Sequence, residues 1–535
     1  MIYELKGNGF WLDEACDKLL EYLKSIGTEN KTIVCAAGMT PSAPIHFGIL
    51  REVAITAFIV DELIQRRKKA RLVYYWDDYD HFCKVPYYTT REAVEEHIGK
   101  TLREVPDFNG CYNSYGEHYM HEFEKCVHKC GFFPNYNYQS RMYKYGLYAD
   151  RIRGALDKRK EIFDIVSRSS GMSDEEAAQK RDSYYPLEIY CDVCGKDFTV
   201  TTEWNRESDT VSYTCKKCGH SGSYIIGKDF RGKLAWKVNW ATRWSVDGVS
   251  FESSGENQLT DTGSYSVSSR VATEIFGGHI PFSLLYRFIG MPGIAKVSRA
   301  QGEKTLATRL VGVLEPCIVR WLLVKNPPNK PFSVDIEEGI FRIYHEWDLF
   351  VDKVESGQCS ELDRRIYDIS MSGVEFCKFR IPFRTLIIAL GLCEGNKKLA
   401  AERLRIMTGF KGSAVELLTA AHTRINAASY WLYECGHVEN QLSLRSSFNE
   451  EAWNSFSDSC KNAVLQLCDN LNSFTNEEDA KKILYDIASS SGTDKELFRA
   501  LYLLCLGKER GPKLATLLCL TQKEKLMTLL KGDYK

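Results

Sequence analysis

"KTIVCAAGMTPSAPIHFGILREVAITAFIVDELIQRRKKARLVYYWDDYD" covers residues 31–80, and its reading decides the fold. The opening "KTIVCAAG" (31–38) is apolar, partly β-branched and ends in glycine, the pattern of a buried strand. A turn with proline and serine follows, "MTPSAPIHFG". "ILREVAITAFIVDELIQRRKK" then has apolar residues at helical spacing and a basic end that complements the helix dipole. "ARLVYYWDDYD" is a second apolar strand closing on carboxylates. Strand, helix and strand at this spacing form a right-handed βαβ unit, so the strands are parallel and a site lies at their C-terminal ends. His46 and Gly48 fall where the turn enters the helix, where unbonded N–H groups and the positive helix end attract phosphate. Taken alone, a histidine at a helix start is equally a cap or a packing residue.

Further along, residues 115–180 read as long amphipathic helices rich in Tyr, Glu, Lys and Arg. Strand-like pieces return over 222–312, among them "KLAWKVNW" and "VSFES", and complete the sheet after an insertion. From about residue 316 the pattern is helical to the C-terminus. The chain of 535 residues is too long for one core, which gives two to four domains. The boundaries read as 1–185 for the first part of an α/β domain with its helical insertion, 186–224 for a metal lobe, and 225–315 for completion of the α/β domain. A helical connecting region over 316–365 and an all-α region over 366–535 follow.

With 70 basic and 71 acidic residues, no global field draws the protein to nucleic acid, so any such binding must come from local patches. The basic run Arg66–Lys69 with Arg71 reads as a solvated helix end. No apolar run approaches the ~18 residues of a membrane helix, and the N-terminus lacks the basic and apolar regions of a leader. The 19 cysteines are scattered and odd in number, so a reducing cytoplasm is the expected setting, with no membrane association. Four of them stand apart. "CDVCG" and "CKKCGH" place Cys191, Cys194, Cys215 and Cys218 as two Cys-x2-Cys knuckles, each followed by glycine. Four thiolates suit tetrahedral Zn²⁺, and a closed shell of four makes the site structural. His220 beside the second knuckle is at best a spare ligand.

Several segments taken in order carry a resemblance. "AAGMTPSAPIHFGILREV", "YYWDDYDHFCKVP", "PDFNGCYNSYGEHYMHEF", "YGLYADRIRGALDKRKEIFDI", the cysteine knuckles, "GKLAWKVNWATRW", "GSYSVSSRVATEIFG" and "ALYLLCLGKERGP" are similar to class I lysyl-tRNA synthetases of the archaeal type. The resemblance runs along nearly the whole chain. It implies a Rossmann-type parallel-sheet catalytic domain with a helical insertion and a zinc lobe, followed by an all-α C-terminal half that binds the tRNA anticodon. It also implies a ligase of protein biosynthesis that uses lysine, ATP, Mg²⁺ and tRNA; the oligomeric state stays open. By the same resemblance His46, Lys296 and Ser298 are the catalytic residues. Pro41, Ser42, His46, Gly48, Lys296, Ser298 and Gly302 would bind ATP, and Gly38, Thr40, Trp236 and Gln258 would surround the amino acid. Asp77 and Asp78, at the acidic strand end, either contact substrate or shape the cleft.

Departures from the family pattern cluster in the signatures. The family's His-x-Gly-Asn is His46-Phe47-Gly48-Ile49 here, and the glycine usual before it is Ala43. Arg-Val-Asp-Trp-Pro is replaced by Lys237-Val238-Asn239-Trp240-Ala241, and Gly-Lys-Asp-His by Gly255-Glu256-Asn257-Gln258. The mobile ATP loop, Lys-Met-Ser-Ser-Ser-Lys-Gly in the family, reads "KVSRAQG" over 296–302, with Gln301 in place of the second lysine. Losing one charged donor to a developing phosphoryl charge costs about 2.7–4 kcal/mol of barrier, and Arg299 is a candidate substitute donor. Three readings stay open on sequence alone: a lysine–tRNA ligase, a paralogue that activates lysine or another amino acid outside translation, and a tRNA- or nucleotide-binding protein without adenylation. Phe341, Tyr344 and Trp347, at helical spacing, read as core residues and not as base-stacking platforms.

Overall fold

The computed structural model describes every residue except Asn8, Tyr87, Ser298, 438–441 and 533–535; the side chains of 299–301 also lie outside the description. The chain divides into two compact units. One comprises Met1–Val311, Val319–Asp335 and Cys359–Val374; the other comprises Gly312–Ile318, Ile336–Gln358 and Glu375–Lys535.

At the centre of the first unit lies the βαβ element read from residues 31–80. Strand β1 (Ile33–Met39) leads through the turn into helix α1 (Ile49–Gln65) and on to strand β2 (Ala70–Trp76). The two strands run parallel, with Ile33 opposite Ala70 and Met39 opposite Trp76. Twelve residues of α1 are buried, which is why its apolar pattern runs almost round the helix and not along one stripe. Strand β3 (Asn135–Tyr138) extends the sheet parallel to β2, helix α2 (Trp236–Asp247) follows the insertions, and β4 (Val249–Glu252) adds to the other edge parallel to β1. The order β4-β1-β2-β3 is all parallel. A smaller parallel set pairs Ile2–Tyr3 and Ser254–Gly255 with Ser283–Tyr286.

Two expectations need correction. "KLAWKVNW" is strand only over Gly232–Leu234; from Trp236 it is helix α2. Its alternating apolar residues also fit a spacing of four, and that period wins because Trp236, Trp240 and Trp244 then share one face, with successive ring centroids 5.1 and 5.0 Å apart. The stretch 115–180 is not a run of long helices either. Its helices are 6 to 15 residues long, and β3 interrupts them. "NYNY" has no apolar alternation, so only its pairing with β2 makes it a strand.

In the metal lobe, Thr199–Asn205, Thr210–Cys215 and Ser221–Ile225 form an antiparallel meander. Leu187–Ile189 and Gly232–Leu234 pair antiparallel where the lobe leaves and rejoins the main unit.

The second unit is built of helices, from Ile340–Glu355 to Lys523–Lys531. Tyr344 and Trp347 are buried, and Tyr344 stacks on Phe383 with centroids 4.0 Å apart; Phe341 is half-buried. At the core of this unit Arg424 donates to Glu315 at 2.7 Å and meets Asp348 at 2.8 Å, with Arg424 and Glu315 fully shielded from solvent. Among the described residues of the whole chain, no helix is long and apolar enough to cross a membrane. Removing the cation from this buried set strands the Glu315 carboxylate. Arg424→Leu is therefore expected to cost about 3–5 kcal/mol of stability, read from a urea denaturation curve.

Candidate functional site

A cleft of about 430 Å³ opens at the C-terminal ends of the parallel strands. Gly38, Met39 and Thr40 enter it from the end of β1, and His46, Gly48, Ile49 and Glu52 from the turn and first helical residues of α1. Trp236, Trp240 and Arg243 line it from α2, and Lys296 and Val297 from the segment opposite. Glycine is required twice by space. A Cβ on Gly38 would stand 2.6 Å from the carbonyl oxygen of Tyr75 on β2, and one on Gly48 would stand 2.9 Å from both His46 Nδ1 and Val297 Cγ2. Backbone bonds tie the two halves of this grip together. Phe47 N–H donates to the Thr305 carbonyl at 2.8 Å, Ala307 N–H to the Ile45 carbonyl at 2.9 Å, and Val297 N–H to the Ile289 carbonyl at 3.0 Å.

Carboxylates dominate the floor. Glu52 accepts from the Tyr286 hydroxyl at 2.9 Å and the Gly38 amide at 3.3 Å, and no cation pairs with it among the described residues. Burial raises its pKa to about 7, against the lowering effect of the Tyr286 hydrogen bond. Glu252 takes the indole N–H groups of Trp240 and Trp244 on one oxygen, at 3.0 and 2.6 Å, and burial raises it too. Asp77 is raised by burial to about 6 even with Arg243 3.3 Å away. Arg243 is itself buried, its guanidinium 4.9 Å from the Trp236 ring centroid and 5.0 Å from that of Tyr75. For Asp80 the desolvation cost is outweighed by its ion pair with buried Lys233 and by the Thr40 hydroxyl at 2.7 Å, so its carboxyl lies below the usual range.

The cleft therefore gathers Gly38, Thr40, His46, Gly48, Trp236, Gln258 and Lys296 from distant parts of the sequence. Pro41, Ser42 and Gly302 do not line it. Gly302 has φ 69°, so it serves the backbone kink before Thr305. Ser298 lies outside the described residues, as do the side chains of Arg299 and Gln301. Asp77 lines the cleft, whereas Asp78 is turned away toward Ser140 and Arg103. Gln258 uses its side-chain carbonyl to accept from the Gly255 amide at 3.1 Å. Several departures from the family pattern fall outside the cleft: Lys237 donates to Ser169 at 3.2 Å, and buried Asn239 accepts from the Tyr143 hydroxyl at 2.7 Å. Ile49, Asn257, Gln258 and Val297 are the replacements among the described residues that face it. Sequence reading missed Glu52, although its place four residues after Gly48 on the same helical face was a usable signal. Glu252, Arg243 and Lys233 carried no such signal.

The cysteine knuckles are compact. The four Sγ atoms lie within 4.8 Å of one another, with Cys191–Cys218 and Cys194–Cys215 at 3.7 Å. Four thiolates about 2.3 Å from one tetrahedral ion would be about 3.8 Å apart, so the set has the dimensions of a zinc site. Gly195 and Gly219 have φ of 71° and 75°, the left-handed turns the knuckles need. His220 faces Asp192 at 2.9 Å and is not part of the cluster.

Comparison with known proteins decides the family. The model for tRNA synthetases class I (K) matches residues 9–373. The chain belongs to that family. The lysine–tRNA ligase of Pyrococcus horikoshii is 32% identical over 95% of this chain and 96% of its own length. The enzyme of the same name from Thermococcus kodakarensis is 31% identical over 97% and 99%, and that of Streptomyces coelicolor 27% over 97% and 98%. Similarity to these lysine–tRNA ligases thus extends beyond residues 9–373 into the helical unit.

The Gly48 contact makes a local prediction for this synthetase fold. Gly48→Ala must displace both the His46 ring and Val297, so amide hydrogen exchange at Val297 should accelerate. Unchanged exchange there would show that the turn and the opposite segment are not in contact.

Proposed function

We propose that this protein is a lysine–tRNA ligase, which joins lysine and ATP to lysyl-adenylate and transfers the lysyl group to tRNA. The observation that carries the reading is Glu52, a half-buried carboxylate with no paired cation among the described residues, set beside the helix start that carries His46 and Gly48. A half-buried carboxylate that opens into a cleft and has no cationic partner among the described residues suits a cationic ligand. The side chain of lysine supplies that charge, and full-length similarity to lysine–tRNA ligases agrees with it.

In the first step the lysine carboxylate attacks the α-phosphorus of ATP, the bond to the β-phosphate oxygen breaks, and pyrophosphate leaves. Negative charge grows on the phosphoryl oxygens, so the residues needed are positioned donors and not a strong base. His46 and the N-terminal amides of α1 face the phosphates from one side and Lys296 from the other. In the second step a ribose hydroxyl at the tRNA 3′ end attacks the lysyl carbonyl, and AMP leaves. Trp236 and Thr40 would border the amino acid, and Gln258 offers a side-chain amide N–H₂ where the family has histidine. Mg²⁺ with ATP would offset phosphate charge. Cys191, Cys194, Cys215 and Cys218 would hold a structural Zn²⁺ that orders the lobe and takes no part in chemistry. For tRNA, a second cavity of about 440 Å³ beside Tyr79 presents Arg141, Lys144 and Lys228 to a phosphate backbone, while Arg103 and Arg231 on its wall are paired with carboxylates. The helical unit would receive the anticodon, and the cytoplasm is the expected setting.

ATP–pyrophosphate exchange across a panel of amino acids, followed by tRNA charging, tests the reading. Exchange with lysine and charging of lysine tRNA are expected; no exchange with any amino acid would overturn it. Glu52 adds a sharper expectation. Its carboxylate attracts an ammonium only when ionised, so lysine KM should rise as pH falls below about 7, by up to about tenfold per unit. Glu52→Gln should lose about 2–5 kcal/mol of lysine affinity and flatten that pH dependence. In the lobe, Cys194→Ser should abolish zinc in the purified protein, measured by elemental analysis.

A further inference from the structure

Arg51 follows directly on the cleft-facing turn, yet it does not line the cleft. It is 1% exposed and donates to backbone carbonyls only. One terminal nitrogen reaches the carbonyls of Arg287 at 2.6 Å and Phe288 at 3.4 Å. The other reaches those of Pro327 and Lys330, both at 2.8 Å. The guanidinium also lies 4.9 Å from the ring centroid of Phe332. A charged side chain buried without a carboxylate among the described residues is costly, and here its planar fork braces two backbone segments that also pair directly, Arg287 N–H donating to the Pro328 carbonyl at 2.9 Å and Ile289–Gly290 running parallel to Phe332–Ser333.

One of those segments bears on the nucleotide side of the cleft. The ammonium of Lys296 sits 3.6 Å from the centroid of the Phe288 ring. Phe288 in turn lies against the 255–258 turn, close enough that a Cβ on Gly255 would be 3.3 Å from it. Val297, next to Lys296, is bonded to Ile289, next to Phe288. Lys296 is thus placed by two adjacent residues, and the backbone under them is clamped by Arg51.

We infer that Arg51 is a positioning residue for adenylation: it fixes the 287–288 backbone so that the Phe288 ring holds the Lys296 ammonium at the mouth of the cleft. Arg51 touches no substrate and acts through Phe288. The inference rests on the ligase reading, in which Lys296 meets the ATP phosphates. Lysine cannot replace arginine in this role, because one ammonium cannot span both pairs of carbonyls.

The experiment is a double-mutant cycle in ATP–pyrophosphate exchange on the full chain, with R51K, F288L and the double variant. A cation over an aromatic face is worth enough that each single change should reduce kcat/KM for ATP by about 2- to 30-fold, with lysine KM unchanged. The double variant should be no worse than F288L alone, and F288Y should keep wild-type kinetics. Losses that multiply in the double variant, or a parallel rise in lysine KM, would overturn the inference and leave the ligase reading intact. If the wild-type chain shows no exchange, the ligase reading falls. The positioning is then read from the rate at which an acylating reagent labels Lys296, by mass spectrometry. R51K and F288L should raise that rate equally; no change in either overturns the inference. Failure of R51K to fold would assign Arg51 a structural role and also overturn it.

Discussion

The cleft is organised by the need to accommodate four carboxylates at the ends of parallel strands, of which Asp80 is paired with Lys233. Glu252 is satisfied by two indole N–H groups, Asp77 by Arg243, and Glu52 by one hydroxyl and one amide. The solutions are unequal. Glu252 and Asp77 are compensated by the protein itself, so they are best understood as shaping the wall. Among the described residues Glu52 has neutral donors only, which leaves negative potential in a site of low dielectric. The tryptophan spacing on α2, the placement of Arg243 and the position of Tyr286 all serve this one distribution of charge.

The altered signature residues gain a physical meaning from that arrangement. Asn239 and Lys237 differ from the family pattern but face the insertion, where they bond to Tyr143 and Ser169. They change packing around the cleft and not its charge. Ile49, Asn257, Gln258 and Val297 do face the cleft; all four are neutral, and Asn257 stands where the family has aspartate. Backbone bonds between Phe47 and Thr305 and between Ala307 and Ile45 join the turn that carries His46 to the segment just after the Lys296 loop, so cleft walls remote in the chain are geometrically dependent.

Legibility in the sequence varied with the range of the interactions. The βαβ unit was readable because strand, turn and helix each announce themselves locally, and the knuckles because their spacing has one good chemical explanation. Helix α2 was misread because a tryptophan every fourth residue can pass for alternation over a short window. Strand β3 was missed because its only argument for being a strand is its neighbour. In the cleft, His46, Gly48, Thr40, Trp236 and Lys296 were found through family resemblance. Glu252, Arg243 and Lys233 were not, since burial of a charged group is decided by contacts between segments remote in the chain.

The parallel sheet also sets a timetable for synthesis. Strand β1 is flanked by β2 and β4; β2 follows within the same short stretch, but Val249 of β4, which pairs with Val34, comes 215 residues later. At about 5–20 residues per second, a ribosome delivers that partner roughly 10–40 s after β1 has emerged. During that interval the apolar edge Val34, Cys35 and Ala36 has unpaired backbone groups on one side, a template for adhesion to other nascent chains. The long insertion that carries the cysteine lobe therefore has a cost that the finished fold conceals: an unpaired strand edge while the growing polypeptide waits for its last parallel strand.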